Sequence, residues 1–261
     1  MFYCNRSHAG EEIAVALRGR TFERPVVLGI TGSGIEVAIP VARSLRATLG
    51  FLGATRLRAP WNPEVAIGAV TADGLTYVNE RAARGVEGAY LAAEKTKQLS
   101  LARQREKRLG ASREPLRGRD VILVEAGAGT GFVASAAMRS CLAAGARSVI
   151  LALPVALPEA LARLRLEAGE VMCLREDAHL FAVGEAYWDY PPIDDAEVEQ
   201  ILRSYRRPGE SIPAPRPGSS PPPPFFGSAL SSWGVPGRAS IDWLSPPSVP
   251  PDSDGAPASR S

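Results

Sequence analysis

Three runs of this chain are apolar at successive positions without polar alternation: residues 24–30 (RPVVLGI), 121–124 (VILV) and 148–155 (SVILALPV). Uninterrupted runs of β-formers point to strands buried on both faces, as in a parallel sheet. Helical patterning falls between them. Residues 35–49 (IEVAIPVARSLRATL) predict a helix in which Pro40 is tolerated only early or at a kink. Residues 132–144 predict another, with Gly145 placed to end it. Residues 158–168 predict a third, opened by a proline in its first turn and followed by a strand over 170–174. A strand over 50–54, a polar, proline-punctuated loop over 55–65, and a hairpin complete the middle of the chain. The hairpin strands are 67–71 and 75–79, turning at Ala72-Asp73-Gly74. A long charged helix spans 86–109, with Glu94, Lys97, Arg105 and Lys107 on a face read as solvated. The recurring β–α–β order predicts an α/β domain, a mostly parallel sheet with helices on both faces.

The pattern stops near Arg207. Residues 208–261 are crowded with Pro, Ser and Gly, including the run Pro221 to Pro224, and carry no sustained periodicity. Such a segment buries too little apolar surface to offset its ordering entropy, so disorder is expected there. Its aromatic islands, Phe225-Phe226 and Trp233 through Trp243-Leu244, are read as a tail without function, as segments docking on an unknown protein, or as segments folding back on the domain. The expected organisation is a domain over 1–207 followed by this tail.

Composition narrows the functional classes. Thirty basic and 28 acidic residues nearly balance, which gives no electrostatic case for nucleic acid. No apolar run reaches the roughly 18–20 residues of a spanning helix, and the opening MFYCNRSHAGEE lacks an apolar signal region. Cys4, Cys141 and Cys173 are widely spaced, as expected of reduced thiols in a cytoplasmic protein. With only His8 and His179 beside them, zinc is not expected.

The chemistry concentrates at 121–133, VILVEAGAGTGFV. A buried strand, an acid, a glycine-rich turn and a helix start are the components of an anion site, because the backbone can approach closely and the helix offers free N–H groups. Read as E-x-G-x-G-x-G, the segment resembles the first motif of class I S-adenosylmethionine-dependent methyltransferases. That family expects its motif at the first strand and a ribose-binding acid at the end of the next one. Here a complete strand–loop–helix unit precedes the motif, and the next strand ends Leu153-Pro154-Val155, with Glu159 already inside a helix. The other reading is a worn phosphoribosyl diphosphate motif, whose usual form has two adjacent acids before the glycines. A turn without ligand is the third.

Several segments in order decide between them: VVLGITGSGIEVA (26–38), APWNPEVAIGAV (59–70), VILVEAGAGTG (121–131), LPVALPEALARLRLEAGEVMCL (153–174) and FAVGEAYWDY (181–190). Together they resemble a family of predicted bacterial type I phosphoribosyltransferases over about residues 2–202. The resemblance implies a phosphoribosyltransferase-like fold with a hood. It implies that the backbone of Gly127, Ala128, Gly129, Thr130, Gly131 and Phe132 cradles a 5-phosphate. Glu125 would hold ribose hydroxyls, with Mg2+ bridging ribose and pyrophosphate. Thr31, Gly32, Ser33 and Gly34 would form a pyrophosphate loop, and Arg56, Asn62 and Glu64 would belong to the hood. Tyr187, Trp188 and Asp189 lie where relatives bring aromatics near an acceptor base. The reaction implied is displacement of pyrophosphate by a nitrogen nucleophile at a cationic ribosyl centre, driven by positioning and charge stabilisation. A homodimer is the expectation by analogy.

The departures from the family pattern fall on ligand positions. The second acid is Ala126, an arginine of the early loop is Gly32, a threonine closing the phosphate loop is Val133, and in the hood Thr55 and Trp61 replace a basic residue and a glycine. Two readings follow: a domain binding phosphoribosyl diphosphate or a related phosphorylated ribose compound, with transfer to a nitrogen acceptor, or a non-catalytic domain that senses a nucleotide or presents its tail to a partner.

Overall fold

The structure is a computed structural model describing residues 1–109 and 115–205, and the tail expected to be disordered lies outside the described residues. In chain order the elements are α1 (Arg6–Ala16), β1 (Val26–Gly29), α2 (Gly32–Ser44), β2 (Thr48–Phe51), β3 (Ala54–Arg58), β4 (Ala66–Thr71) and β5 (Thr76–Val78). Then come α3 (Gly88–Leu109), β6 (Asp120–Val124), α4 (Phe132–Ala143), β7 (Ser148–Ala156), α5 (Pro158–Leu164), β8 (Glu170–Glu176) and α6 (Asp195–Ser204). A short 3-10 turn over Val183–Ala186 precedes α6.

The five strands β2-β1-β6-β7-β8 form one sheet, every pair parallel. Alternate residues of each central strand feed opposite cores, as strand geometry requires. Val26, Leu28, Val121, Leu123, Val149 and Leu151 pack under α4 and α5. Val27, Ile122, Val124 and Ala152 pack against α1 and α2. Burial on both faces is why these strands read as unbroken apolar runs. A second sheet, β3-β4-β5, is antiparallel and holds the segment expected as the hood.

Several sequence expectations shift. The helix expected over 35–49 starts earlier, at Gly32, and ends at Ser44, because Thr48–Phe51 is recruited as the edge strand beside β1. Pro40 lies well inside α2. The expected loop over 55–65 begins as a strand, β3, whose alternating burial pairs it with β4. The helix expected over 158–168 closes at Leu164. Glu94, read as solvated, is buried, where its carboxylate accepts from Gln98 Nε2 at 2.9 Å and from the Arg58 backbone at 3.0 Å.

Two helices escaped the reading. Helix α1 starts at Asn5, whose side chain accepts the His8 amide. Helix α6 starts with a full capping box, Asp194 and Glu197. Its Val198, Ile201 and Leu202 pack with Ile35, Phe51 and Leu109, and Arg105 pairs with Asp195 at its first turn. The two chain segments flanking the domain also meet, through a parallel bridge of Tyr3 with Tyr187 and a 2.8 Å bond from the Trp188 amide to the Tyr3 carbonyl.

Candidate functional site

Strand order reverses between β1 and β6, since β2 adds on one side and β7 and β8 on the other. The crevice beyond the carboxyl ends at such a switch point is where open parallel sheets take ligands. Both loops singled out in the sequence leave the sheet there. They interlock: the Ile30 amide donates to the Val124 carbonyl at 3.1 Å. Gly34 lies so close that an added Cβ would stand 2.6 Å from that same oxygen. Only glycine permits this approach, and it holds the start of α2 against the start of the glycine-rich loop.

The loop from Glu125 to Phe132 is anchored from below. Ala128 makes an isolated parallel bridge to Ala156, its amide donating to the Val155 carbonyl at 3.0 Å and its carbonyl accepting from Leu157 at 3.0 Å. The Ala128 amide is therefore consumed by the fold and does not join the phosphate cradle expected of it. Gly127 is packed against Val155 and Val183. Beyond Ala128 the chain is free: the amides of Gly129, Thr130, Gly131 and Phe132 have no acceptor among the described residues. Gly131, at φ 73°, is the left-handed residue that turns the loop into α4. Above Gly129 there is open space, with nothing within 4 Å of where a Cβ would stand.

Glu125 projects at the mouth of β6, half-buried, and no described residue donates a hydrogen bond to its carboxyl. Burial raises its pKa from 4.5 to about 7, opposed by the positive charge of Arg56 on β3. Arg56 thus reaches the site electrostatically from the hood. The other two expected hood residues stay on the exposed turn between β3 and β4, where the Asn62 side chain accepts the Glu64 amide at 2.9 Å. Ala126, at the position of the missing second acid, turns its methyl into the core beneath the sheet, and its carbonyl accepts the Tyr187 hydroxyl at 2.5 Å. Tyr187 is accordingly a buried support of the loop, whereas Trp188 is exposed. In the early loop, the Thr31 side chain accepts the Gly34 amide as the cap of α2, Ser33 is half-buried, and Gly32 is buried beneath Ile193 and Val198.

One contributor carried no distinguishing sequence signal. Arg163, in the helical run LPEALARLRLEA, donates Nη1 to the Thr130 carbonyl and stacks over the Phe132 ring with 4.9 Å to its centroid. Phe132 is in turn stacked on Tyr77 of the hood, centroids 5.5 Å apart. Ser140 of α4 donates to Asp73 in the hood hairpin at 2.7 Å. The hood is fastened to the helix that follows the glycine loop.

The comparisons with known proteins now bear on this geometry. No family model matches the chain. A curated protein of Mycobacterium tuberculosis described as "Putative phosphoribosyl transferase" is 38% identical over 207 residues, which is 77% of this chain and 47% of that protein, and it is found in two strains. The chain spans about half the length of these curated relatives. The crystal structure of TT1426 from Thermus thermophilus is also 38% identical, covering 77% of this chain and 98% of that one with a TM-score of 0.66. Over 207 residues the chain is similar to a putative phosphoribosyl transferase. The glycine-rich loop of this domain sits at the switch point of its parallel sheet, where open sheets of this kind take ligands. No helix among the described residues is long and apolar enough to cross a membrane.

Proposed function

We propose that this domain binds a phosphorylated ribose compound, with the 5-phosphate on the amides of Gly129 to Phe132 and the ribose hydroxyls at Glu125. The observation that carries the reading is a row of four amides opening α4 that find no acceptor among the described residues, beside a carboxyl to which none of these residues donates a hydrogen bond. A phosphate placed there meets N–H groups and the positive end of a helix dipole at once. Near neutral pH the Glu125 carboxyl is poised between its two forms, so it can donate to or accept from a ribose hydroxyl.

Transfer of the phosphoribosyl group to a nitrogen acceptor is the reaction of this fold that such a site would serve. The carboxylate form of Glu125 would then lie near a positively charged ribosyl centre, and the hood would exclude water. A resident magnesium ion does not fit the donor set. Burial disfavours the charged form of Glu125, the positive charge of Arg56 acts on it, and the neighbouring position is the core methyl of Ala126. A non-catalytic, nucleotide-sensing domain is the second reading, favoured by the burial of Gly32 where relatives carry an arginine. Cys4, Cys141 and Cys173 form no disulfide among the described residues, as expected of thiols in a cytoplasmic setting.

Nuclear magnetic resonance tests the binding reading directly. Ribose 5-phosphate added to the labelled protein should shift the amides of Gly129, Thr130, Gly131 and Phe132 while leaving Ala128 nearly still. Shifts confined to other regions, or none at millimolar ligand, would remove it.

A further inference from the structure

Four side chains from three elements meet in a row beside the glycine-rich loop. Tyr77 of β5 stacks on Phe132, the first residue of α4, with ring centroids 5.5 Å apart and planes inclined by 28°. The guanidinium of Arg163, on α5, lies 4.9 Å from the Phe132 centroid. That of Arg139, on α4, lies 4.9 Å from the Tyr77 centroid. Both distances are within the range at which an aromatic face attracts a cation. The far end of the row is fixed by Glu167, which accepts from Arg139 with both carboxylate oxygens at 2.8 and 3.0 Å. The two rings are 9% and 4% exposed and share an apolar cluster with Ala69 and Ala136.

The near end of the row is the loop itself. Arg163 donates Nη1 to the Thr130 carbonyl while its guanidinium lies over the Phe132 ring, so one side chain grips the chain on both sides of Gly131. A loop containing Gly129 and Gly131 has little backbone preference of its own. Its amides converge on one anion only if contacts from outside fix them beforehand, and a hydrogen bond weakens steeply once its donor turns away. Phe132 carries one of those amides and is the residue that β5 holds. The position of the second sheet is in this way written into the phosphate-binding backbone.

We infer that Tyr77 is a positioning residue of the phosphate site: through Phe132 and Arg163 its ring sets the geometry of the glycine-loop amides without touching the ligand. The inference rests on the reading of the α4 loop as a phosphate cradle. It gives the role to the ring and not to the hydroxyl, because the ring makes the contacts with Phe132 and Arg139.

A double-mutant cycle on ligand affinity tests it, by calorimetric titration of ribose 5-phosphate into the full chain well below its melting temperature. Tyr77→Leu, which keeps apolar bulk and removes the ring, should weaken binding about three- to tenfold. Tyr77→Phe, which keeps the ring, should bind within about twofold of the parent. Tyr77→Leu combined with Arg163→Gln should lose less than the product of the two separate losses, because both act on Phe132. Should Tyr77→Leu fail to fold, Phe132→Leu takes its place in the cycle with the same expected loss and the same coupling. Parent-like affinity in the leucine variant, an equal loss in Tyr77→Phe, or losses that multiply would overturn the inference and leave the cradle intact. If the parent itself does not bind, the cradle reading falls and this inference with it.

Discussion

Burial lifts the Glu125 carboxyl from an ordinary 4.5 to about 7, and the sign of that shift fixes how stability follows pH. Between these values the folded chain holds a proton that the unfolded chain has lost. Stability therefore falls as pH rises from about 4.5 to 7, and the cost is fully present above that. Glu125→Gln should flatten this slope in urea denaturation and be more stable than the parent near pH 8 by on the order of 2 kcal/mol. An unchanged slope would show that the carboxyl titrates normally. At Arg163 the expectation concerns binding. Its hydrogen bond to the Thr130 carbonyl fixes the peptide plane whose other side carries the Gly131 N–H, and in a planar trans peptide the two groups point opposite ways. Arg163→Gln should weaken ribose 5-phosphate binding by about 1.5 kcal/mol, roughly tenfold, with little change in melting temperature. The measurement is a titration of both proteins, and equal affinities would reduce Arg163 to a surface contact.

At the scale of elements, the interlock of the two loops is the feature most exposed to test. Gly34→Ala forces a methyl against the Val124 carbonyl and should cost about 1–3 kcal/mol. Tyr187→Phe leaves the buried Ala126 carbonyl without its donor and should cost a similar amount. Thermal or chemical denaturation reads both, and loss below about 0.5 kcal/mol would contradict the packing. These contacts also explain what could be read from the sequence. Strands β1, β6 and β7 were legible because burial on both faces leaves no polar position in them. The glycine loop was legible because close approach and a left-handed residue need glycine. Strand β3 was not, since its alternation is short and followed by Pro60 and Pro63, so the segment read as loop. Helix α6 had a readable start in Asp194 and Glu197, but its role over Gly32 depends on a tertiary contact that no local pattern encodes. The same holds for Ala128, whose amide is claimed by a strand nearly thirty residues away.

Across the molecule, three of the positions named as departures from the family pattern are drawn into the fold, while Trp61 stays exposed. Gly32 seats the C-terminal segment, Thr55 ties the hood to α3 and Ala126 fills the core, while the loop from Gly129 to Phe132 remains uncommitted. The hood is fixed in part by the stacking of Tyr77 on Phe132 and by the Ser140–Asp73 bond, so its position is coupled to the loop it covers. The central claim is that the open loop holds a phosphate. It is tested most directly by titrating ribose 5-phosphate into the full chain and into Gly129→Asp, which adds a negative charge where there is room for a side chain. Saturable binding to the parent, lost in Gly129→Asp at an unchanged melting temperature, is the predicted result. Equal binding by both proteins, or none by the parent at millimolar ligand, would contradict it.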